Sequence, residues 1–505
     1  MSVSHIARPL ETSLNHFTTR APWWRALALG VLLAFSLAIS VWLISRSPLD
    51  AVTIDVNNHT LIASIFSPYS LSFLPYLLAC VLVFVTRPAS GRWRWLELGL
   101  ILGGAAVLRI LLLPLPPNLS RDSWRYVWDA RVFLHGYSPY VYAPGNNVLK
   151  PLWDVLFANS RYRNVPTIYP PGAQYIYILS YVFAPSNLYF LKGMFVVFDL
   201  ASCAILAKLL VRKGLDPARV ILYAWCPLSI VEFALQGHMD VLPVTFTLLA
   251  VLSTSNTSWR GRGLTGFLIG IATLTKLYPI IMLASVVRLR MWRRDWLLVL
   301  TCLLTIVLGY LPFYIQGNGQ IFGFFSVYSN EQGANAGFIQ LFVAWFGDLH
   351  HFSLATIITQ EHLVAFLMLV SASLVVFLLR QYERISLEAG MLLLFGLVFA
   401  ISSHVFPWYT TMLLPWIALL LPTHERRLAW PLLIARVLAL LALFIFACIS
   451  VVSYVQSDPL IYYRMTYYPL VIELALAVVI ALSYSLPNIW QKGTSFAKQQ
   501  PKTID

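Results

Sequence analysis

The chain reads as an all-α, polytopic membrane protein, and three observations predict it. Of its 505 residues 59% are hydrophobic and only 11% are charged, against a charged share of about a quarter in soluble domains. Apolar runs recur along the whole chain, most of them close to the ~20 residues a helix needs to cross the hydrocarbon core. Arginine and lysine gather at alternate ends of those runs, as they do where basic loops stay cytoplasmic. So little polar surface cannot enclose so much apolar volume in water, and the bilayer is the solvent.

The runs fall near 26–45, 69–86, 96–114, 188–210, 219–235, 241–254, 263–287, 296–314, 363–380, 388–403, 407–421, 431–455 and 469–486. That pattern predicts about 12 to 14 spans, some of them short, tilted or broken. Trp23 and Trp24 open the first run with no small-residue cleavage site, so it reads as an uncleaved span. Residues 1–487 read as a single membrane domain and 488–505 as a polar cytoplasmic tail. The net charge of +14 belongs to cytoplasmic loops rather than to a nucleic-acid partner. Cys80, Cys203, Cys226, Cys302 and Cys448 all lie in apolar stretches without metal or redox spacing, and read as small core residues.

Putting the basic clusters inside places both termini in the cytoplasm. It also forces two local features. Residues 174–186 become an interfacial or re-entrant helix, and 263–287 goes out and returns, turning near Lys276–Pro279. The loop 315–362 has no Lys or Arg, as an external loop should. The halves show no internal repeat, which argues against an inverted-repeat transporter.

The segment 115–187 is the large external loop, dense in proline and aromatics and suited to short interfacial helices. Asp122 and Asp129 stand in it two helical turns apart, on one face of a helix, with Arg121, Arg125 and Arg131 beside them. Surface ion pairing explains such charges in a generic loop. Further polar residues gather at outer span ends: His238 and Asp240, Lys276, His404 with Trp408 and Tyr409. Each has a plain explanation as an anchor or a snorkelling cation. Together they mark one membrane face with carboxylates, imidazoles and cations.

That combination suits one reaction. A sugar joined to a lipid through phosphate already carries its leaving group. The enzyme then needs one carboxylate to take the acceptor's proton, and cations to hold the departing phosphate. Asp122 is the candidate base. Lys276, Arg121, Arg131 and His404 are candidate phosphate contacts. Asp129 reads as a partner fixing Arg125 or Arg131 at helical spacing. Tyr126, Trp128, Tyr169, His238, Asp240, Trp408 and Tyr409 are candidate cavity residues, the aromatics through stacking on a sugar. No residue set calls for a cofactor. A divalent metal is conceivable but unsupported, since adjacent histidines such as His350 and His351, near Asp348, rarely ligate one ion.

The stretches SRDSWRYVWDARVFLHGYSPYVYAP, TIYPPGAQ, WCPLSIVEFALQGHMD, TKLYP and HVFPWY, running from about residue 118 to 415, resemble the GT-C superfamily of polytopic glycosyltransferases, especially its bacterial mannosyltransferase-like branch. The resemblance implies an acid of the first large external loop as catalytic base, a position Asp122 occupies. It implies a polyprenyl-phosphate sugar donor, most often mannose, and inversion at the anomeric carbon. The acceptor is expected to be a glycolipid or glycan, and the active site to lie on the outer face of a bacterial inner membrane. Two departures are visible. Arg121 stands where the branch often has a second adjacent acid, and Ala130 follows Asp129 where it has glycine. The competing readings are a transporter or flippase of a lipid-linked saccharide, and a glycan ligase or polymerase using a lipid-diphosphate donor. The first of these predicts midplane charges and pseudo-symmetric halves.

Overall fold

The computed structural model describes residues 23–48, 59–330, 337, 354–422, 429–456 and 458–497. Among them there is no strand. The first third holds α1 (Trp23–Arg46), α2 (His59–Val85) and α3 (Gly91–Leu112), then α4 (Asp122–Leu134), α5 (Val155–Asn159), α6 (Pro171–Phe183) and α7 (Leu188–Arg212). The middle comprises α8 (Ile221–Ala224), α9 (Pro227–Ile230), α10 (Val241–Ser253), α11 (Trp259–Thr275), α12 (Met282–Val286), α13 (Trp292–Gln316) and α14 (Phe325–Asn330). The rest comprises α15 (Leu354–Gln381), α16 (Leu387–Ile401), α17 (Pro407–Thr410), α18 (Leu414–Leu420), α19 (Trp430–Ile449) and α20 (Pro459–Ala497).

Eight helices are long and apolar enough to cross a membrane among the described residues, or nine if the bent pair Pro217–Ala224 and Pro227–Leu235, which contains α8 and α9 and bends by 57°, forms one span. The other apolar runs form shorter or broken helices, α10, α11, α16 and the α17–α18 pair. The long ones expose apolar side chains such as Leu27, Phe35, Leu74, Val307 and Phe366, as a lipid-facing surface requires.

Two expectations about shape are met. Helix α6 has 13 residues and stops short of a crossing. Helix α11 ends at Lys276, whose extended backbone (φ −155°, ψ 138°) breaks the run, and Pro279 enters a 3-10 turn just beyond. The chain then comes back. Arg262 at the start of α11 donates to the Val286 carbonyl at 3.3 Å and grips Asp295 of α13 through two bonds of 2.6 and 2.7 Å. Helix α13 runs along α11 so closely that a Cβ on Gly266 would lie 2.0 Å from the Leu298 carbonyl oxygen, the small-residue contact typical of membrane helices.

Two features depart from the sequence reading. Helix α20 continues through Pro487 to Ala497, so the segment after 487 begins as helix rather than as a loose tail. Charge is also buried inside spans. Arg109 of α3 meets Asp199 of α7 at 2.6 Å, both wholly buried. Its remaining nitrogens donate to the carbonyls of Ala105 and Ala224 and to Ser229. Lys192 of α7 likewise donates to the Leu113 and Leu115 carbonyls just past α3. These ties hold the α3 end, and therefore the start of the loop that carries Asp122.

Candidate active site

One end of the bundle encloses a cavity of about 770 Å³. Its residues come from segments far apart in sequence: the start of α4, the loop 161–170, the junction before α10, the break after α11, the stretch around α14, and the segment 402–409. These breaks and helix ends meet residues inside helices, Val398 and Phe399 of α16 and Tyr462 of α20.

Asp122 is the first residue of α4, where the helix dipole favours a carboxylate. Its backbone N–H donates to Ser120 Oγ at 3.3 Å. Burial pushes its carboxyl above the usual range, Arg161 pulls it back, the nearby Asp240 adds to the rise, and Ser120 and Arg125 oppose it. Asp240 follows a wide π-helical turn, Val231–Leu235, and the glycine at 237. Gly237 has φ +71°, and a Cβ there would meet Lys192 Cγ at 2.8 Å. Only glycine takes that turn without strain, and the turn brings Asp240 onto the cavity.

Lys276 forms an ion pair with Asp240 and lies over the Tyr409 ring, 3.2 Å from its centroid. Burial raises the Asp240 carboxyl and Lys276 counters the rise. The lysine is the residue at which α11 breaks, so the break that ends the helix is also what delivers the cation.

The opposite wall is aromatic. Ser402 and Phe406 have extended backbone, and the chain between them is non-helical. His404, Phe406 and Trp408 stack at 5.8 and 4.6 Å, and Tyr328 of α14 stacks on His404 at 4.6 Å. Burial lowers the His404 pKa to about 4. It therefore faces the cavity as a neutral hydrogen-bonding group at pH 7, not a charge.

Of the residues expected at the site, Asp122, Arg125, Tyr126, Tyr169, Asp240 and Lys276 line the cavity, as do His404, Trp408 and Tyr409. Five do not. Asp129 lies below the floor, bonded to Arg125 Nε at 2.6 Å and to Gln174 at 3.3 Å. Arg131 is held on the far side of α4 by Asp154 at 2.7 Å, Ser186 at 2.7 Å and the Leu152 carbonyl at 3.0 Å. Its expected phosphate role is therefore corrected, because its donors are already engaged away from the cavity. Arg121 occupies the N-cap position of α4, half-buried and outside the lining. Trp128 is wholly buried against Phe157 at 5.5 Å. His238 sits one layer back, its ring stacked on Trp408 at 3.7 Å and Nε2 3.5 Å from the Glu232 carboxylate. Glu232 in turn accepts from Tyr69 at 3.1 Å and Tyr454 at 2.8 Å.

The sequence reading missed Arg161, Tyr328, Phe406 and Tyr454 among the lining residues. For Phe406 a signal existed, the two-residue alternation with His404 and Trp408. Among the described residues no group of three or more His, Cys, Asp or Glu is placed to hold a metal ion. His350, His351 and Asp348 lie outside the described residues.

Residues 167–407 match the family model of Glycosyltransferase family 87. The matched stretch takes in Tyr169, Asp240, Lys276 and His404 and begins after Asp122. No curated relative matches the chain. Among solved structures, ArnT from Cupriavidus metallidurans bound to undecaprenyl phosphate is similar with a TM-score of 0.41 and 13% identity, over 80% of this chain and 81% of that one. The family match agrees with the sequence reading in pointing to a glycosyltransferase.

Proposed function

We propose that this protein is a membrane glycosyltransferase that moves a sugar, mannose by the family resemblance, from a polyprenyl-phosphate donor to a glycolipid or glycan acceptor, on the outer face of the membrane. The observation that carries the reading is the placement of Asp122 in one cavity with Lys276 and with arginines of the loop and of α4. The acceptor hydroxyl attacks the anomeric carbon as the bond from that carbon to the phosphate oxygen breaks. Asp122 takes the hydroxyl proton, and the lipid phosphate leaves with the bonding electrons. Attack opposite the leaving group inverts the anomeric centre. No general acid is required, because a phosphate is stable as an anion, and the cations of the cavity hold it as its charge grows.

The rest of the cavity fits an amphiphilic donor. The charged groups suit the phosphate and sugar, and the aromatic wall of Tyr328, His404, Phe406 and Trp408 suits apolar or ring surface. Replacing Asp122 by Asn keeps the shape and removes the base. Purified D122N in lipid vesicles, given radiolabelled polyprenyl-phosphate mannose and a membrane-lipid extract, is expected to bind donor yet lose roughly 100-fold or more in transfer rate. Undiminished release of lipid phosphate and labelled glycan by D122N would overturn the assignment of the base.

A further inference from the structure

We infer that Arg161 is the cation that receives the departing phosphate, and that the buried Arg125–Asp129 pair is the clamp that presents it. The inference rests on the lipid-phosphate reading given above and deepens it.

Most of the charges that face the cavity are already engaged. Asp122 and Asp240 are its acids, and Lys276 is committed to Asp240. Arg125 is committed to Asp129 and to two backbone carbonyls. Arg161 lines the same cavity, is exposed, and makes no ion pair among the described residues. Its one ring contact is with its neighbour Tyr162, at 5.1 Å. An incoming phosphate meets here a guanidinium with no ion pair to break, which neither Lys276 nor Arg125 provides.

The loop that carries Arg161 is built to hold still. Tyr162 adopts φ +54°, a conformation that costs a non-glycine residue and persists only where its surroundings impose it. The surroundings are visible. Arg125 Nη1 donates to the Tyr162 carbonyl at 2.9 Å and Nη2 to the Val165 carbonyl at 3.1 Å. Asp129 orients that guanidinium through Nε. Gln174 of α6 bonds both Asp129, at 3.3 Å, and Thr167 at 3.1 Å, and the Thr167 N–H donates to the Pro139 carbonyl at 2.9 Å. Asp129 and Arg125 thus act through the loop as positioning residues, and Arg161 is the group that touches substrate.

Arg161 has a second effect that a merely structural residue lacks. It is the strongest charged influence favouring the ionised form of Asp122, ahead of Arg125, and it works against Asp240. Lys276 feels the Asp122 charge as well, as do the phenols of Tyr126, Tyr169, Tyr328 and Tyr454. Removing Arg161 takes away the largest of the influences that keep Asp122 ionised. The acid limb of the rate profile then moves to higher pH.

The test uses the full chain in lipid vesicles, with undecaprenyl phosphate and the neutral undecaprenol as probes. R161Q is expected to weaken undecaprenyl phosphate binding roughly tenfold or more, to leave undecaprenol binding unchanged, and to raise the pH of the acid limb of kcat/KM. R161K is expected to recover most of the binding. D129N, which loosens the loop without touching the cavity, is expected to raise KM more than it lowers kcat. Wild-type protein that binds undecaprenyl phosphate, beside R161Q that binds it equally well with an unmoved acid limb, overturns the inference. Wild-type protein that binds neither undecaprenyl phosphate nor its mannosyl ester overturns the donor reading itself.

Discussion

Among the charged residues that lie deep in this protein, two sets differ in how fully they are used. Arg109 in the middle of the bundle spends every guanidinium nitrogen, on Asp199, two carbonyls and Ser229. At the bundle end, two acids, Asp122 and Asp240, face a shared cavity with Lys276 bound to one of them. The same residue types appear in both places. In the first, every nitrogen of the guanidinium is engaged and the pair is wholly buried, so it is a tie between α3 and α7. In the second, charge remains uncompensated beside open volume, and that surplus is what a substrate can use.

The comparison is broken most directly at Arg109. Replacing it by Leu strands Asp199, wholly buried, without its cation, and a broken buried pair costs about 3–5 kcal/mol. R109L is expected to unfold far more readily in detergent, while the double replacement R109L/D199L recovers most of the loss. A single variant as stable as the wild type would show that the bundle pair is not a tie.

Lys276→Met is the matching change at the cavity, and the expected pattern reverses. Its side chain is 20% exposed, and water in the cavity can hydrate the stranded Asp240. The expected cost in stability is about 1 kcal/mol or less. Transfer is expected to fall by roughly 10- to 100-fold through the loss of positive charge beside the departing phosphate and of the partner that holds Asp240. Stability and rate measured on the same preparation separate the two. A large loss of stability with little loss of rate would move Lys276 into the first class.

The frame was legible in the sequence, and the physical reason is that spans are long and their patterns redundant. The break at Lys276 was legible too, since a lysine and a proline inside an apolar run have few other places to go. Some of the wall assignments were not. Tyr126 and Trp128 are two residues apart, about 200° around a helix, so one cavity cannot receive both, and Trp128 turns instead to Phe157. Asp122 and Asp129 do share a face. Depth separates them, because two turns along α4 lead below the floor, where Asp129 meets Arg125 and Gln174. Arg161 could not be found by pattern at all. It sits in an aperiodic loop whose position is set by contacts from α4 and α6, and nothing local distinguishes it from Arg163, whose donors go to the Ser160 and Ala158 carbonyls.

The smallest effect sharpens the comparison from the side of stability. The Asp122 carboxyl is raised by burial and by Asp240 more than Arg161, Ser120 and Arg125 lower it. A carboxyl raised in the folded state holds its proton more tightly there than in the unfolded chain. Its contribution to stability is therefore complete below the unfolded value of about 3.9 and is lost as the pH rises through the higher folded value. At neutral pH the ionised Asp122 works against the fold, a cost tolerated where a base is needed. Asn at that position removes the charge and the cost together. D122N is expected to melt slightly above the wild type at pH 7, and the difference is expected to shrink as acid protonates the wild-type side chain. The wild-type rate should fall over that same interval, above the range of an ordinary carboxylate. A D122N protein less stable than the wild type at neutral pH would mean that Asp122 is a fully paired structural charge of the Arg109–Asp199 kind.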